Sequence, residues 1–202
     1  KYGVKLRKIW EDTYKKYPNI KRYYDKQEKV PILLFQAISL YYHKANSAKR
    51  EDILNIFENI YKDNPNKDFY SDWNEFAKLM DQAIIKLEQV RSGFGVKSEK
   101  DIPFLPTLTE LIVLLKEASI RENKTDVNKK IEMWYWSAIF SNAYSSAADS
   151  RLTLDFKYMK EWFDTDENVP KTISNARNEY KILNLKEIQS SSNAIYRGVL
   201  SL

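Results

Sequence analysis

The chain has no cysteine and, among 202 residues, one histidine, four glycines and six prolines. Without cysteine there are no disulfides, thiolate metal sites or cysteine nucleophiles, and a cytoplasmic location is expected. So few glycines and prolines argue against a many-stranded sandwich or barrel, whose turns consume both. The lone imidazole, His43, leaves no partner histidine for zinc and no Glu-x-x-His pair for a di-metal bundle. Any Ser-His-Asp triad would have to use that same residue. No run reaches the roughly 18 apolar residues of a membrane span, and no signal peptide opens the chain. The Gly-x-x-x-x-Gly-Lys phosphate cradle is missing, and Gly93 and Gly95 in SGFG read as a turn. Asp164, Asp166 and Asn168 imitate the first ligands of a calcium loop. Val169 and Asn175, however, stand where its glycine and bidentate glutamate belong. No catalytic residue, metal site or cofactor is assigned, and no membrane partner is expected.

What the chain does have is apolar side chains at helical spacing and an uneven distribution of charge. Hydrophobic residues make up 43%, charged ones 30% and aromatic ones 14%, enough for a substantial core in one large or two small domains. Residues 1 to 29 hold ten Lys or Arg against four Asp or Glu. That balance of +6 leaves −1 for the remainder of a chain whose net charge is +5. This basic lead-in is interleaved with Trp10, Tyr14, Tyr17, Tyr23 and Tyr24, and can lie against a phosphate backbone or form a solvated helix face. The candidate DNA contacts are Lys5, Lys8, Lys15, Lys16, Lys21 and Arg22.

Leu6, Ile9, Trp10, Thr13 and Tyr17 have helical spacing closed by Pro18, and Pro31 opens a second helix with the stripe Leu34, Ala37, Ile38, Tyr41 and Tyr42. Ile53, Phe57, Ile60 and Tyr61 define a third. The longest helix is expected from about Asp72 to Ser92, where Asp72 and Glu75 have capping-box spacing and Trp73, Phe76, Met80, Ile84 and Leu87 form one stripe. VKSEKDIPFLP, residues 96 to 106, breaks the periodicity and suggests an N-terminal half over 1–95 and a C-terminal half over 96–202. Thr107 and Glu110 offer a second capping box before Leu108, Leu111, Ile112, Leu115 and Ala118. Leu152, Phe156, Met159 and Phe163 mark a further helix with Trp162 at its edge. Weaker helices are expected around Ile173 to Ile182 and from about Ser192 to the end. The fold class is therefore all-α, an irregular bundle of about eight to nine helices.

MWYWSAIFSNAYSS, residues 133 to 146, reads either as a ligand box or as the innermost helix. At about 100° per residue, Val127, Ile131, Trp134 and Ala138 share one face, while Met133, Trp136, Phe140 and Ala143 fall opposite. Only Lys130, Ser137 and Ser141 interrupt the apolar surface, so a central, buried helix is expected, with serines bonding back to their own turn.

Three stretches together resemble the helical region of GmrSD-type restriction enzymes and related phage-defence proteins: FGVKSEKDIPFLPTLTELIVLL, IEMWYWSAIFSNAYSSAADSRLTLDFKYM and AIYRGVLSL. The likeness is most specific from Gly95 to Phe163. In that family the region follows an N-terminal domain related to ParB and sulfiredoxin and precedes a His-Asn-His nuclease domain. The resemblance implies a parent that senses and cleaves modified DNA, with nucleotide hydrolysis in its N-terminal domain. Neither the Asp-Gly-Gln-Gln-Arg motif nor the His-Asn-His cluster lies in this chain. Where family members carry an arginine before the aromatic helix core and another in the Tyr-Ser loop, this chain has Glu132 or Met133, and Ala143. The start at Lys1 and the apolar ending GVLSL read as those of one module of a longer protein.

Two functions are then expected. The first is a helical scaffold or linker that holds flanking domains of the same polypeptide and adds non-specific DNA-backbone contacts. The alternative is a protein-interaction or homo-oligomerisation module anchored by Tyr23, Tyr24, Tyr41 and Tyr42. Whether the segment is itself enzymatic is left open.

Overall fold

The computed structural model describes residues 4–26, 28–42, 48–179, 188, 190 and 193–202. Among these there is no strand, and no helix is long and apolar enough to cross a membrane. Ten α-helices are present among the described residues: α1 (Leu6–Lys16), α2 (Pro18–Tyr24), α3 (Val30–Tyr42), α4 (Arg50–Leu54), α5 (Phe69–Glu88), α6 (Pro106–Ser119), α7 (Lys124–Phe140), α8 (Ala148–Asp164), α9 (Lys171–Glu179) and α10 (Ala194–Val199). A π-helical turn spans Phe57–Tyr61 and a 3-10 turn Glu99–Asp101. The fold is thus an all-α multi-helix one. His43, the last residues expected for the helix ending at Ile182, and Ser192 lie outside the described residues.

Pro31 lies in the first turn of α3 as expected, while the short helix after Pro18, α2, is additional to those expected. Pro18 ends α1 and occupies the first turn of α2, and Pro106 does the same for α6, since a first-turn proline forfeits no intrahelical bond. Both expected capping boxes are absent. The cap of α5 is Asp68, whose carboxylate accepts from the Ser71 amide at 2.8 Å. Asp72 instead points inward and accepts from Tyr42 and Tyr61 hydroxyls at 2.8 and 3.0 Å. Thr107 donates to the Phe104 carbonyl at 2.6 Å, and Glu110 is wholly enclosed. In each case the Ser/Thr/Asp-x-x-Glu spacing coincides with an inward-facing position, and burial governs where the side chain goes.

The innermost helix is α6 rather than α7. Ten of its fourteen residues are buried, and it packs against α3, α5, α7 and α8. Trp134, Tyr135, Ala138 and Ile139 of α7 are fully buried as expected, but its other side opens to solvent: Met133 is 42% exposed and Trp136 and Phe140 are half-buried. Lys130, expected on the polar stripe, is buried; its ammonium donates to the Trp162 carbonyl at 2.8 Å and meets Asp126 and Asp166. A long aliphatic stem can cross an apolar layer and deliver its charge at the edge. Ser141 does bond back to the Ser137 carbonyl, at 2.7 Å. Trp162 is buried rather than at an edge.

A continuous core runs from Trp10 to Ile173. Phe94, Gly95 and Val96 are themselves buried within it, with the Phe94 ring stacked on Tyr135 at 3.7 Å. The three stretches that carry the family resemblance meet in space. Gly198 of α10 lies so close to α7 that a Cβ there would sit 2.6 Å from the Ile139 side chain. Gly95 has φ +66°, and a Cβ would strike the Ser201 carbonyl, so glycine is required on both counts. Arg197 donates to the Lys100 and Pro103 carbonyls at 3.2 and 2.9 Å.

Candidate nucleic-acid interface

Two polar sites stand out, one at the surface and one sealed inside. The surface site lies between α1 and the first turns of α5. Helical spacing puts Lys5, Lys8, Asp12 and Lys16 along one edge of α1, with Ile9 and Thr13 below them. Opposite stand Tyr70, Trp73 and Asn74. Together they line a groove of about 470 Å³.

The floor is fixed by a hydrogen-bond chain. Trp73 donates its indole N–H to the Thr13 hydroxyl at 2.7 Å, and Thr13 donates to the Ile9 carbonyl at 2.8 Å. Trp73 also meets Trp10 edge-to-face at 6.3 Å and Phe35 at 4.9 Å. The Trp73–Thr13 bond and the Trp10–Trp73 ring contact join α1 to α5, with the lysines on the exposed side of α1. Aromatic pairs of this kind contribute roughly 0.5–1.5 kcal/mol each beyond their buried area.

The six candidate DNA contacts separate into classes. All are exposed. Lys5, Lys8 and Lys16 share the groove, whereas Lys15 lies outside it. Lys21 pairs with Asp25. Arg22 grips Glu88 at the end of α5 through two bonds of 2.7 Å, and that carboxylate holds the guanidinium pKa above its ordinary value. A bidentate pair of this kind already satisfies the fork that would otherwise clasp a phosphate. Among the described residues no ion pair involves Lys5, Lys8, Lys15 or Lys16.

Sequence reasoning missed Tyr70 and Asn74. They belong to a helix some 60 residues away in the chain, and α5 starts at Phe69 rather than at the expected Asp72, which places Tyr70 on its first turn. An exposed tyrosine just after the true cap, Asp68, is the signal that would have found it.

The sealed site centres on Asp155 of α8. Its carboxylate accepts from Trp134 at 3.0 Å, Tyr144 at 2.9 Å and Thr172 at 2.7 Å, so one side chain fastens α7, the loop after it, α8 and α9. Burial pushes the Asp155 carboxyl pKa up, while the three donors pull it back only in part. Nearby Glu110 of α6 is 0% exposed and neither oxygen has a hydrogen-bond partner. Burial first, and the Asp155 charge second, raise its pKa well above the ordinary carboxylate range, so the group is held as a neutral acid. Lacking any opening to solvent, these two carboxyls serve architecture. The calcium-like stretch is likewise divided: Asp164 pairs with Arg121 and Asp166 with Lys130.

Of the aromatic anchors expected for an interaction module, one is shut away from solvent and three are partly covered. Tyr23 is fully buried, and Tyr24, Tyr41 and Tyr42 are half-buried. Tyr42 is bonded to Asp72, and Tyr41 is packed against Phe76 and Phe156. Tyrosines filling helical stripes beside other rings are drawn inward; the Tyr42 hydroxyl reaches a carboxylate, whereas the buried Tyr23 hydroxyl has no hydrogen-bond partner among the described residues.

The chain is similar to an uncharacterized protein of Methanocaldococcus jannaschii, with 28% identity over 204 residues; the similarity covers 98% of this chain and 33% of that protein. The chain thus spans about a third of the length of the relative it matches. No family model matches it, and no solved structure does.

Proposed function

We propose that this chain is the helical scaffold of a GmrSD-like, DNA-directed defence protein, and that it contributes non-specific nucleic-acid contacts through the α1 groove. Support for the scaffold part is the meeting of the three resembling stretches around α7 and α10, with glycine required at Gly95 and Gly198. The observation that carries the nucleic-acid part is the alignment of Lys5, Lys8 and Lys16 along one groove with no ion-pair partner among the described residues. Three ammonium groups in register attract phosphates, and each phosphate neutralised releases counterions, so affinity falls steeply as salt rises. Duplex DNA affinity at two salt concentrations tests this. Binding at low salt that weakens at the higher concentration is expected; absence of binding at low salt, or indifference to salt, removes duplex-backbone contact from the function.

A second reading, self-association, rests on the shallow α7–α9 groove lined by Met133, Trp136 and Ile173, where a half-buried tryptophan is a suitable anchor.

A further inference from the structure

Resting on the nucleic-acid reading above, we infer that the α1–α5 groove takes a single-stranded segment, with phosphates on Lys5, Lys8 and Lys16 and a base against Tyr70, in preference to the backbone of an intact duplex.

The shape of the groove favours a single strand. Its floor, Thr13 and Trp73, is buried between two helices, and the half-open space of about 470 Å³ is on the scale of a small-molecule pocket. The backbone of a duplex is the ridge of a wide, stiff cylinder, which rests on the rim of such a recess without entering. A single strand can turn a nucleotide into it. From Lys5 to Lys16 is about 16 Å of helix, a length that a few nucleotides cover.

Asp12 also favours a single strand. It stands one turn from both Lys8 and Lys16, on the groove, exposed, and in no ion pair among the described residues. For a continuous track of phosphates it is a like charge in the path. For a strand whose bases face the protein it is an acceptor for the N–H groups of a base edge, which a duplex keeps paired internally. Lysines at the ends with a carboxylate between them therefore match alternating phosphate and base better than phosphate alone.

The opposite wall supplies a stacking face. Tyr70 is 45% exposed as a residue, and its ring meets Phe69 edge-to-face at 6.2 Å. The Asn74 amide, one turn on, donates to the Tyr70 carbonyl at 2.9 Å. A part-exposed tyrosine beside a line of ammonium groups is the combination that binds single strands without sequence preference.

Fluorescence anisotropy with one labelled oligonucleotide, single-stranded and annealed to its complement, tests the inference on the whole chain. Tighter binding of the single strand by about tenfold is expected. Tyr70→Ala is expected to weaken single-strand binding by about 5- to 100-fold while leaving duplex binding and the unfolding midpoint unchanged. Equal affinities, or a Tyr70→Ala variant that binds single strand like the parent, overturn this inference. If Lys8→Glu also leaves both ligands bound as before, the nucleic-acid reading itself falls; if it weakens both alike while Tyr70→Ala does nothing, that reading survives and only the single-strand preference is lost.

Discussion

Around Asp155 a charge is answered from within by three donors on three different segments, whereas along α1 three ammonium groups line one groove and face outward. The first arrangement is closed: a buried carboxylate with its hydrogen bonds made specifies how α7, α8 and α9 sit. The second is open, since exposed lysines contribute little to stability and so are available for a partner. The difference separates the groups that hold the chain together from those that, under the proposed function, meet a nucleic acid. Changes at the sealed centre should then alter stability, and changes at the groove should alter binding.

The largest effect is expected at Trp134. Replacing its fully buried indole by alanine leaves a cavity, costing roughly 3–5 kcal/mol, and removes a donor from Asp155. Urea denaturation measures the loss; a change below about 1 kcal/mol would mean that the indole is not the packed element described here.

A smaller effect sharpens the contrast within the sealed centre itself. Glu110 binds its proton more tightly folded than unfolded. Its contribution is therefore fully present at pH below the ordinary glutamate range and is lost as pH rises toward the raised folded pKa. Over that window the parent loses up to about 1.4 kcal/mol per pH unit from this one group. Glu110→Gln cannot titrate, so its stability should depend less steeply on pH, as measured by unfolding at a series of pH values. An unchanged slope would show that Glu110 does not carry the proton.

Much of the fold was legible because apolar spacing and proline positions act locally. Pro18, Pro31 and the Trp73–Leu87 stripe fixed helices that the structure contains. Position 110 shows where local rules stop. In sequence Thr107 and Glu110 form a cap, but α6 is surrounded by α3, α5, α7 and α8, and it is this long-range packing that leaves Glu110 wholly buried. The groove was half legible for a similar reason. Lys5, Lys8 and Lys16 follow from the spacing of one helix, whereas Tyr70 and Asn74 come from another. Whether Lys21 and Arg22 are occupied depends on Asp25, one turn away, and on Glu88, which no local pattern connects to them.

The division between structure and contact is tested most directly by the salt dependence of oligonucleotide affinity in a variant with Lys5, Lys8 and Lys16 all changed to alanine, beside a Lys21→Ala, Arg22→Ala control. The slope of log affinity against log salt should become shallower by about 2–3 in the triple variant and by less than about 1 in the control, with the triple variant's unfolding midpoint unmoved. Equal slopes in the triple variant and the parent, or an equal loss in the control, would contradict the account.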